Sequence, residues 1–545
     1  NKYSAGWNKY LLGSYEQNED GSYSYTTNRV GNEVSTDLNS TNETAGDRRI
    51  YLEAMVDYNR TFGRHDVNAM LLYNQDELVN NVPGNNLINS LPKRKQGLAG
   101  RLSYAYDGKY MAEVNMGYNG SENFAKGHRW GFFPSIALGY NISEESFFEP
   151  LRKVITSMKL RGSWGLVGND QIGGERFIYM PTINLSGKGF TTGIDQNYGL
   201  SGPVYTRYEN NSITWEVGEK INLGIDLQLL NSLNIVVDIF RETRRDIFQK
   251  KGTIPTYLGT GNTDVFGNLA EMKNQGLDLS IDYNKAFSKD FYMNFKGTFT
   301  YAHNEITKYD EAPKYAFQSK VGQSANVSQG YLSNGLFLDE AEIDRYNQQM
   351  GSTLGAGDIK YLNVSNMHGY GDDIVDVDDW TWIGNPTVPE IVYGFGPSFK
   401  YKNWDFSFFF QGVAKTSLFM SGFHPFGDNS LRNVLQFVAN DRWSPTNQNV
   451  DAKYPRLTRK TSLNNTNPGN SGRTSDYWMR DGSFLKLKNM ELGYTFKRMR
   501  FYISGSNLLT FSKFDLWDPE QGGGSGLKYP TQRVFNVGFQ MTFNN

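Results

Sequence analysis

Cysteine is absent from this chain. That excludes disulfide frameworks, thiolate zinc sites and cysteine nucleophiles. Long apolar runs are absent as well. A membrane-spanning helix needs about 18 consecutive apolar residues, and the densest aromatic patch, Phe406 to Phe410, is far shorter. Neither sign of charge dominates. Lys and Arg number 55 against 57 Asp and Glu, so there is no basic footprint for nucleic acid. Histidine is scarce: His65, His128, His303, His368 and His424 are scattered without the spacing of a zinc-protease helix. Neither a G-x-S-x-G elbow nor a phosphate-binding loop is present. The chain therefore reads as a non-enzyme.

Aromatic residues are abundant. Phe, Tyr and Trp make up 14% of the chain, yet mean hydropathy is only −0.57. A β-barrel reconciles the two, because lipid-facing and lumen-facing residues alternate and average out. Alternation is the strongest signal in the sequence. Leu277, Leu279, Ile281 and Tyr283 interleave with Gly276, Asp278, Ser280 and Asp282. Tyr110, Ala112, Val114, Met116 and Tyr118 form a second such series. By this rule about fifteen strands are predicted: near 50–59, 65–74, 98–106, 109–118, 131–140, 157–166, 214–229, 233–246, 265–283, 290–303, 391–401, 404–413, 476–496, 499–507 and 533–543.

A soluble sandwich would also alternate, so connection length decides. Asp107-Gly108, Leu230-Asn231-Ser232, Lys402-Asn403 and Lys497-Arg498 are tight turns. The alternate slots hold long segments, notably 167–213, 304–390, 414–475 and 508–532. Outer-membrane barrels require this: short periplasmic turns and long extracellular loops. Many predicted strand ends are aromatic, including Tyr58, Tyr73, Tyr104, Tyr106, Tyr118, Tyr140, Tyr283, Tyr401, Trp404, Tyr494 and Phe496. These suit the girdles at the two membrane interfaces.

The fold expected is all-β: a transmembrane antiparallel barrel spanning 50–545, preceded by an extracellular loop over 1–49 that can include the end of an earlier strand. Large transporter barrels have 22 strands. On that count about fifteen strands are the C-terminal part, and the first of them is the eighth. The chain opens Asn1-Lys2-Tyr3 without a leader, so it is read as part of something longer.

Several blocks, in order along almost the whole chain, resemble one family. They are Arg129 to Phe148, Lys159-Leu160-Arg161 with Gly165 to Gln171, Thr214 to Asp226, Asn274 to Asp278, Gly357 to Tyr361, Ile383 to Pro386 with Pro389, and Asp481 to Asn489. Ser506 to Phe511, Asp518-Pro519-Glu520 and Tyr529-Pro530 complete the series. Together they are similar to SusC/RagA-type TonB-linked outer-membrane transporters. The resemblance implies a 22-stranded barrel closed by an N-terminal plug, and nothing in this chain matches that plug. It implies a SusD-like surface lipoprotein as lid, energy from the TonB complex reached through the plug, and import of a glycan, oligosaccharide or peptide. The place implied is the outer membrane of a Gram-negative, Bacteroidetes-like bacterium. The alternative kept open is a scaffold barrel within a larger envelope assembly complex. The sequence departs from the family in two places. The ordered D-x-N-x-D-G run is missing after Gly357-Asp358-Ile359, and Asn544-Asn545 follow the last aromatic, Phe543.

Two constellations stand out. Asp372, Asp373, Asp376, Asp378 and Asp379 could together hold Ca²⁺, which takes six to eight oxygens; the bland reading is a solvated acidic loop. Trp380, Trp382, Phe423, His424, Trp478 and Trp517 lie in or beside long loops. Their faces suit sugar stacking or a partner's apolar anchors, against the alternative of loop packing and lid contact. On the polar side of the strands, Asp226, Gln228, Asp238, Asp278, Asp282 and Glu491 are expected to line the lumen. Lys497, Arg498 and Arg500 form a basic turn that suits an interfacial anchor.

Overall fold

A computed structural model describes the chain except for residues 1, 5, 7, 34–36, 38, 42–43, 83–86, 174, 256, 258–263, 347, 350–353, 422–433, 458–462, 466–473 and 544–545. Its largest feature is one 15-stranded antiparallel sheet, each strand pairing with the wall strand before it and the one after. The first strands are β1 (Asp47–Phe62), β2 (His65–Asn80), β3 (Lys93–Tyr106), β4 (Tyr110–Ser121) and β5 (Trp130–Asn141). They are followed by β6 (Ile155–Asn169), β7 (Glu216–Leu229), β8 (Leu233–Lys250), β9 (Phe266–Ala286) and β10 (Phe291–Lys308). The last are β11 (Ile391–Tyr401), β12 (Trp404–Ala414), β13 (Phe484–Phe496), β14 (Met499–Ser512) and β15 (Val534–Met541).

Each run predicted from alternation falls on a strand of this wall; several strands run further, as 50–59 does to Asp47–Phe62 and 65–74 to His65–Asn80, and one is cut short. The expected strand over 476–496 breaks at Asp481-Gly482-Ser483. There Ser483 N–H donates to Asp481 Oδ1 (2.9 Å) and Gly482 N–H to the Thr416 carbonyl (2.9 Å). The piece Met479–Asp481 pairs with Ser417–Phe419 instead of extending the wall. Residues before β1 include a hairpin of Lys9–Gln17 with Tyr23–Val30.

Register sorts the wall into two faces. On one, Tyr140 sits opposite Leu160, Leu160 opposite Ile225, Ile225 opposite Val237, Val237 opposite Leu279, Leu279 opposite Phe299 and Phe299 opposite Tyr393. The other face, one residue along, runs Arg161, Gly224, Asp238, Asp278 and Thr300. A one-residue slip anywhere would exchange these faces, so the alternation in sequence pins every pairing. The apolar face is bare: Leu138, Leu223 and Ile239 are 59%, 63% and 60% exposed. A band of this kind across a whole sheet exceeds what a water-facing surface carries; hydrocarbon is its natural cover.

Aromatic rings edge the band. Tyr110 stacks on Tyr140 (5.2 Å), Phe287 on Phe291 (5.3 Å) and Trp404 packs on Tyr494 (4.7 Å) along one rim. Tyr118 stacks on Trp130 (4.8 Å) toward the other. Tyr110 and Tyr118 end the same face of β4. At about 3.4 Å per residue they stand about 27 Å apart along the strand. On a tilted strand that spans most of the roughly 25 Å lipid-facing band.

Because every strand reverses, connectors fall alternately at the two rims. One rim carries 63–64, 107–109, 142–154, 230–232, 287–290, 402–403 and 497–498. Left-handed backbone at Asp107, Leu230, Asn231, Lys402 and Lys497 closes four of these turns. Neighbouring turns are tied to one another: Leu230 N–H donates to the Val154 carbonyl (2.8 Å), Asn284 N–H to Ser232 (2.7 Å) and Lys402 N–H to Asp290 (2.7 Å). The opposite rim carries 81–92, 122–129, 170–215, 251–265, 309–390, 415–483 and 513–533. Residues ahead of β1 join at this rim, where Asn81 N–H donates to the Gly46 carbonyl (2.9 Å).

Candidate functional site

The polar face is where cargo, water or a plug would be met. Its charges are arranged in cross-strand clasps. Arg161 on β6 forks onto Asp226 on β7 (Nε and Nη2, 2.8–3.0 Å) and reaches Asp238 on β8 (3.0 Å). Arg500 on β14 grips Asp405 on β12 (Nε, 3.1 Å) and Glu491 on β13 (2.5 Å). Both guanidinium groups lie over a wall glycine. A Cβ on Gly224 would stand 2.8 Å from the Arg161 guanidinium, and one on Gly493 2.6 Å from Arg500 Nη2. Glycine is what lets a planar fork reach across the wall. Gly493→Val is therefore expected to cost about 1–3 kcal/mol through overpacking. The check is the temperature at which the folded band disappears in semi-native electrophoresis, which should fall relative to the parent.

Further along this face, Asn294, Lys296, Ser398, Ser407, Asn489, Glu491 and Asn536 line a groove of about 550 Å³. The groove crosses six strands of the wall on this face.

Above the long-connector rim, three connectors fold together. Tyr331, Leu336, Ile359, Tyr361 and Val375 come from 309–390; Leu418, Met420, Val438, Trp443, Tyr454 and Trp478 from 415–483; Phe514 from 513–533. All are buried. These loops are thus a cap with its own core, not independent strings. At its centre Asp358, fully buried, accepts from Arg456 (2.5 and 3.0 Å), Asn465 Nδ2 (2.7 Å) and the Gly355 N–H (2.9 Å). A smaller core of Phe124, Ile172, Ile178, Ile213 and Trp215 ties 122–129 to 170–215.

The third connector is held to the wall by charge. Lys486, buried at the top of β13, donates to Asp518 and to Glu520 (2.8 Å), and Lys488 donates to Glu520 (2.5 Å). Burial pushes both carboxyls up, but the lysine hydrogen bonds and charges, joined at Asp518 by the Glu520 N–H, together outweigh it and hold them below their ordinary values of 3.8 and 4.5. A carboxyl depressed by folding stabilises above its unfolded pKa and loses that contribution as pH falls through its folded one. The tie should be intact at pH 5 and above and weaken on acidification below about 4. Amide hydrogen exchange across 518–522 should accelerate there, while the wall strands stay protected.

The family model described as "TonB dependent receptor-like, beta-barrel" matches residues 1–508. The chain belongs to that family. It is an outer-membrane barrel protein. The TonB-dependent receptor P3 of Formosa agariphila is 25% identical, with 94% of this chain and 54% of that protein covered. The TonB-dependent receptor SusC of Bacteroides thetaiotaomicron is 28% identical, covering 82% of this chain and 43% of SusC. The chain thus spans about half the length of these curated relatives. Among solved structures, the RagAB peptide transporter superposes with a TM-score of 0.67 at 20% identity, over 91% of this chain and 56% of that one. The likeness there is one of fold. The SusC/RagA resemblance read from the sequence agrees with these relatives.

Within this family barrel, the loop tryptophans are mostly interior. Trp478 has no exposed surface and meets Tyr477 edge-on (5.4 Å). Trp380 meets Tyr331 edge-on (5.9 Å), and Trp517 packs on Phe514 (4.6 Å). Trp382 is half-buried, and its Nε1 donates to the Ser319 carbonyl (2.9 Å). Loop packing describes all four. Phe423 and His424 lie outside the described residues.

The aspartate run is spent locally. Asp376 Oδ1 accepts from the Asp378 N–H (2.8 Å). Buried Asp379 accepts from Ser365 N–H (2.9 Å) and Asp376 N–H (2.8 Å), and burial pushes its carboxyl above the ordinary value. Asp378 pairs with Lys314. Asp372 accepts from Asn363 and from Ile374 N–H (both 3.2 Å), and Asp373 is exposed. Among the described residues no three carboxylates or histidines are placed to hold a metal ion.

A ring cluster in 309–390, not read as a contact surface from the sequence, joins half-buried Tyr315 and Phe317 to exposed His368 and Tyr370. Tyr315 meets Tyr370 (4.3 Å), and Phe317 stacks between Tyr315 (5.5 Å) and His368 (4.6 Å). The two segments lie too far apart in sequence for any local pattern to join them. Of the basic turn, Lys497 lies over the Phe496 ring (5.5 Å), as an interfacial anchor does. Arg500 belongs to a clasp instead, because its side chain falls on the polar face.

Proposed function

We propose that this chain is the larger part of the wall of an outer-membrane importer. A wall with one polar face and a folded cap over one rim is the observation that carries the reading: closed into a barrel with that face inward, it makes a hydrated passage with a built mouth. In that reading further strands join the edges β1 and β15, since unpaired strand edges are not tolerated in hydrocarbon. A plug outside this chain fills the lumen and is worked by the TonB complex. The cargo class is a glycan, oligosaccharide or peptide, and a SusD-like surface lipoprotein covers the cap. Exposed Tyr370 and His368, backed by half-buried Tyr315 and Phe317, are the cap's readiest contact for either, since ring faces suit sugars and apolar anchors alike.

The test is deletion of the full-length gene, with growth measured on single glycans and on peptides. Loss of growth on one such class, restored by the wild-type gene, is expected, together with recovery of a surface lipoprotein on the tagged protein. Unimpaired uptake of every class, with a defect in envelope assembly instead, would replace an importer by a scaffold.

A further inference from the structure

The short-connector rim has one long member, 142–154. It is anchored on the lipid side of the wall: Tyr110, a girdle residue of the apolar face, donates its hydroxyl to Glu145 (2.6 Å), and Lys109 lies 3.6 Å from the same carboxylate. Its other end is tied to the next turn by the Leu230–Val154 hydrogen bond. Between the anchors Ser146–Leu151 makes a short 3-10 turn that buries Phe148 against the protein. Yet Phe147, Leu151 and Val154 stand 67%, 53% and 56% exposed, and neighbouring Leu230 60%. Four bare apolar side chains do not belong in periplasmic water. They adjoin the Tyr110–Tyr140 girdle, the edge of the lipid-facing band. Lys153 is exposed beside them, and Arg152 is fixed by its Nε bond to the Ser143 carbonyl (2.7 Å).

We infer that residues 145–154 form an interfacial foot, seated in the inner-leaflet boundary and bound to phospholipid. Phe147, Leu151, Val154 and Leu230 enter the acyl boundary, and Arg152 and Lys153 face lipid phosphates. Exposed apolar residues with Arg152 and Lys153 among them suit a segment that lies in the interface plane; Glu144, 4.0 Å from Arg152, and Glu149 are exposed there too. The foot would fix the height of the barrel on its periplasmic side, where the other turns are too short to reach. The inference rests on the outer-membrane placement of the wall.

This chain contributes no cysteine, so single substitutions accept one label each. The full-length protein, with any upstream cysteine replaced, is reconstituted in phosphatidylethanolamine–phosphatidylglycerol nanodiscs. A nitroxide is placed in turn at Phe147→Cys, Leu151→Cys, Leu223→Cys on the apolar band and Ser280→Cys on the polar face. Collision with oxygen, which partitions into lipid, is compared with collision with a water-soluble nickel chelate. The foot predicts an oxygen-to-nickel ratio at 147 and 151 several-fold above that at 280 and approaching that at 223. A nickel-dominated ratio at both positions would overturn it, as would labels reached by neither agent, which would mean that another part of the protein covers them. If Leu223 itself collides mainly with nickel, the membrane placement fails, and the foot with it.

Discussion

Replacing Leu223 by arginine should destabilise the folded barrel by about 2–4 kcal/mol, the depth-dependent cost of a cation on the lipid face near the bilayer midplane. Leu223 sits near the middle of β7, opposite Gly162 and Ile239, and is 63% exposed. In a water-soluble sheet a residue so open would accept arginine within about 0.5 kcal/mol. The size of the effect is therefore a direct reading of what covers this face. Ser280→Arg, on β9 with its side chain among Val236 and Thr298 on the polar face, is the control and should be nearly silent. Urea titration of refolding into lipid vesicles gives both values. Equal, small effects would remove the lipid from the account.

Asp358→Ala should unfold the cap and leave the wall standing. Removing this carboxylate strands the Arg456 guanidinium, the Asn465 amide and the Gly355 N–H around a vacated buried site. Breaking a buried pair in this way costs about 3–5 kcal/mol. The cost falls on the cap because Arg456 and Asp358, 98 residues apart in sequence, join two connectors, and their hydrogen-bond partners among the described residues all lie in those connectors. Limited proteolysis should release fragments cut within 331–361 and 436–457, while the heat-modifiable band of the folded barrel persists. Loss of both together would mean that cap and wall fold as one unit. Asp358→Asn, which keeps the size and two lone pairs, should show the same direction at smaller amplitude.

The wall was legible in the sequence because a strand's two faces are decided by residues two positions apart. Leu277, Leu279 and Ile281 state their environment locally, and the turns Lys402-Asn403 and Lys497-Arg498 fix where the chain reverses. The predicted run 476–496 carried a good alternating tail from 484 onward. Only a side-chain turn at Asp481 and a carbonyl far upstream at Thr416 broke it.

The cap was not legible. Its core joins Tyr331, Trp478 and Phe514 from different connectors, and such contacts have no period. For Trp380, Trp478 and Trp517 the sequence left open both ring faces for a ligand or partner and loop packing, because loops are usually on the surface; only the fold shows that they pack into a loop core. The aspartate run left a cation site and a solvated acidic loop both open by composition; in the fold, backbone N–H groups at a tight turn donate to Asp376 and Asp379. The clasps were half visible. Asp226, Asp238 and Glu491 were recognisable as polar-face residues, but Arg500 read as part of a basic interfacial turn, and only the fold sets Arg161 opposite Gly224 and the Arg500 guanidinium over Gly493.

The most direct test of a wall with one lipid face and one wet face is a fluorophore scan through a single strand. Bimane is attached in turn to cysteines replacing residues 277 to 283 of β9 in the full-length protein. Quenching by brominated phospholipid is then compared with quenching by aqueous iodide. Lipid quenching is expected at 277, 279, 281 and 283 and iodide quenching at 278, 280 and 282, a strict period of two. Iodide reaching all seven positions alike, or bromine reaching none of them, would contradict it.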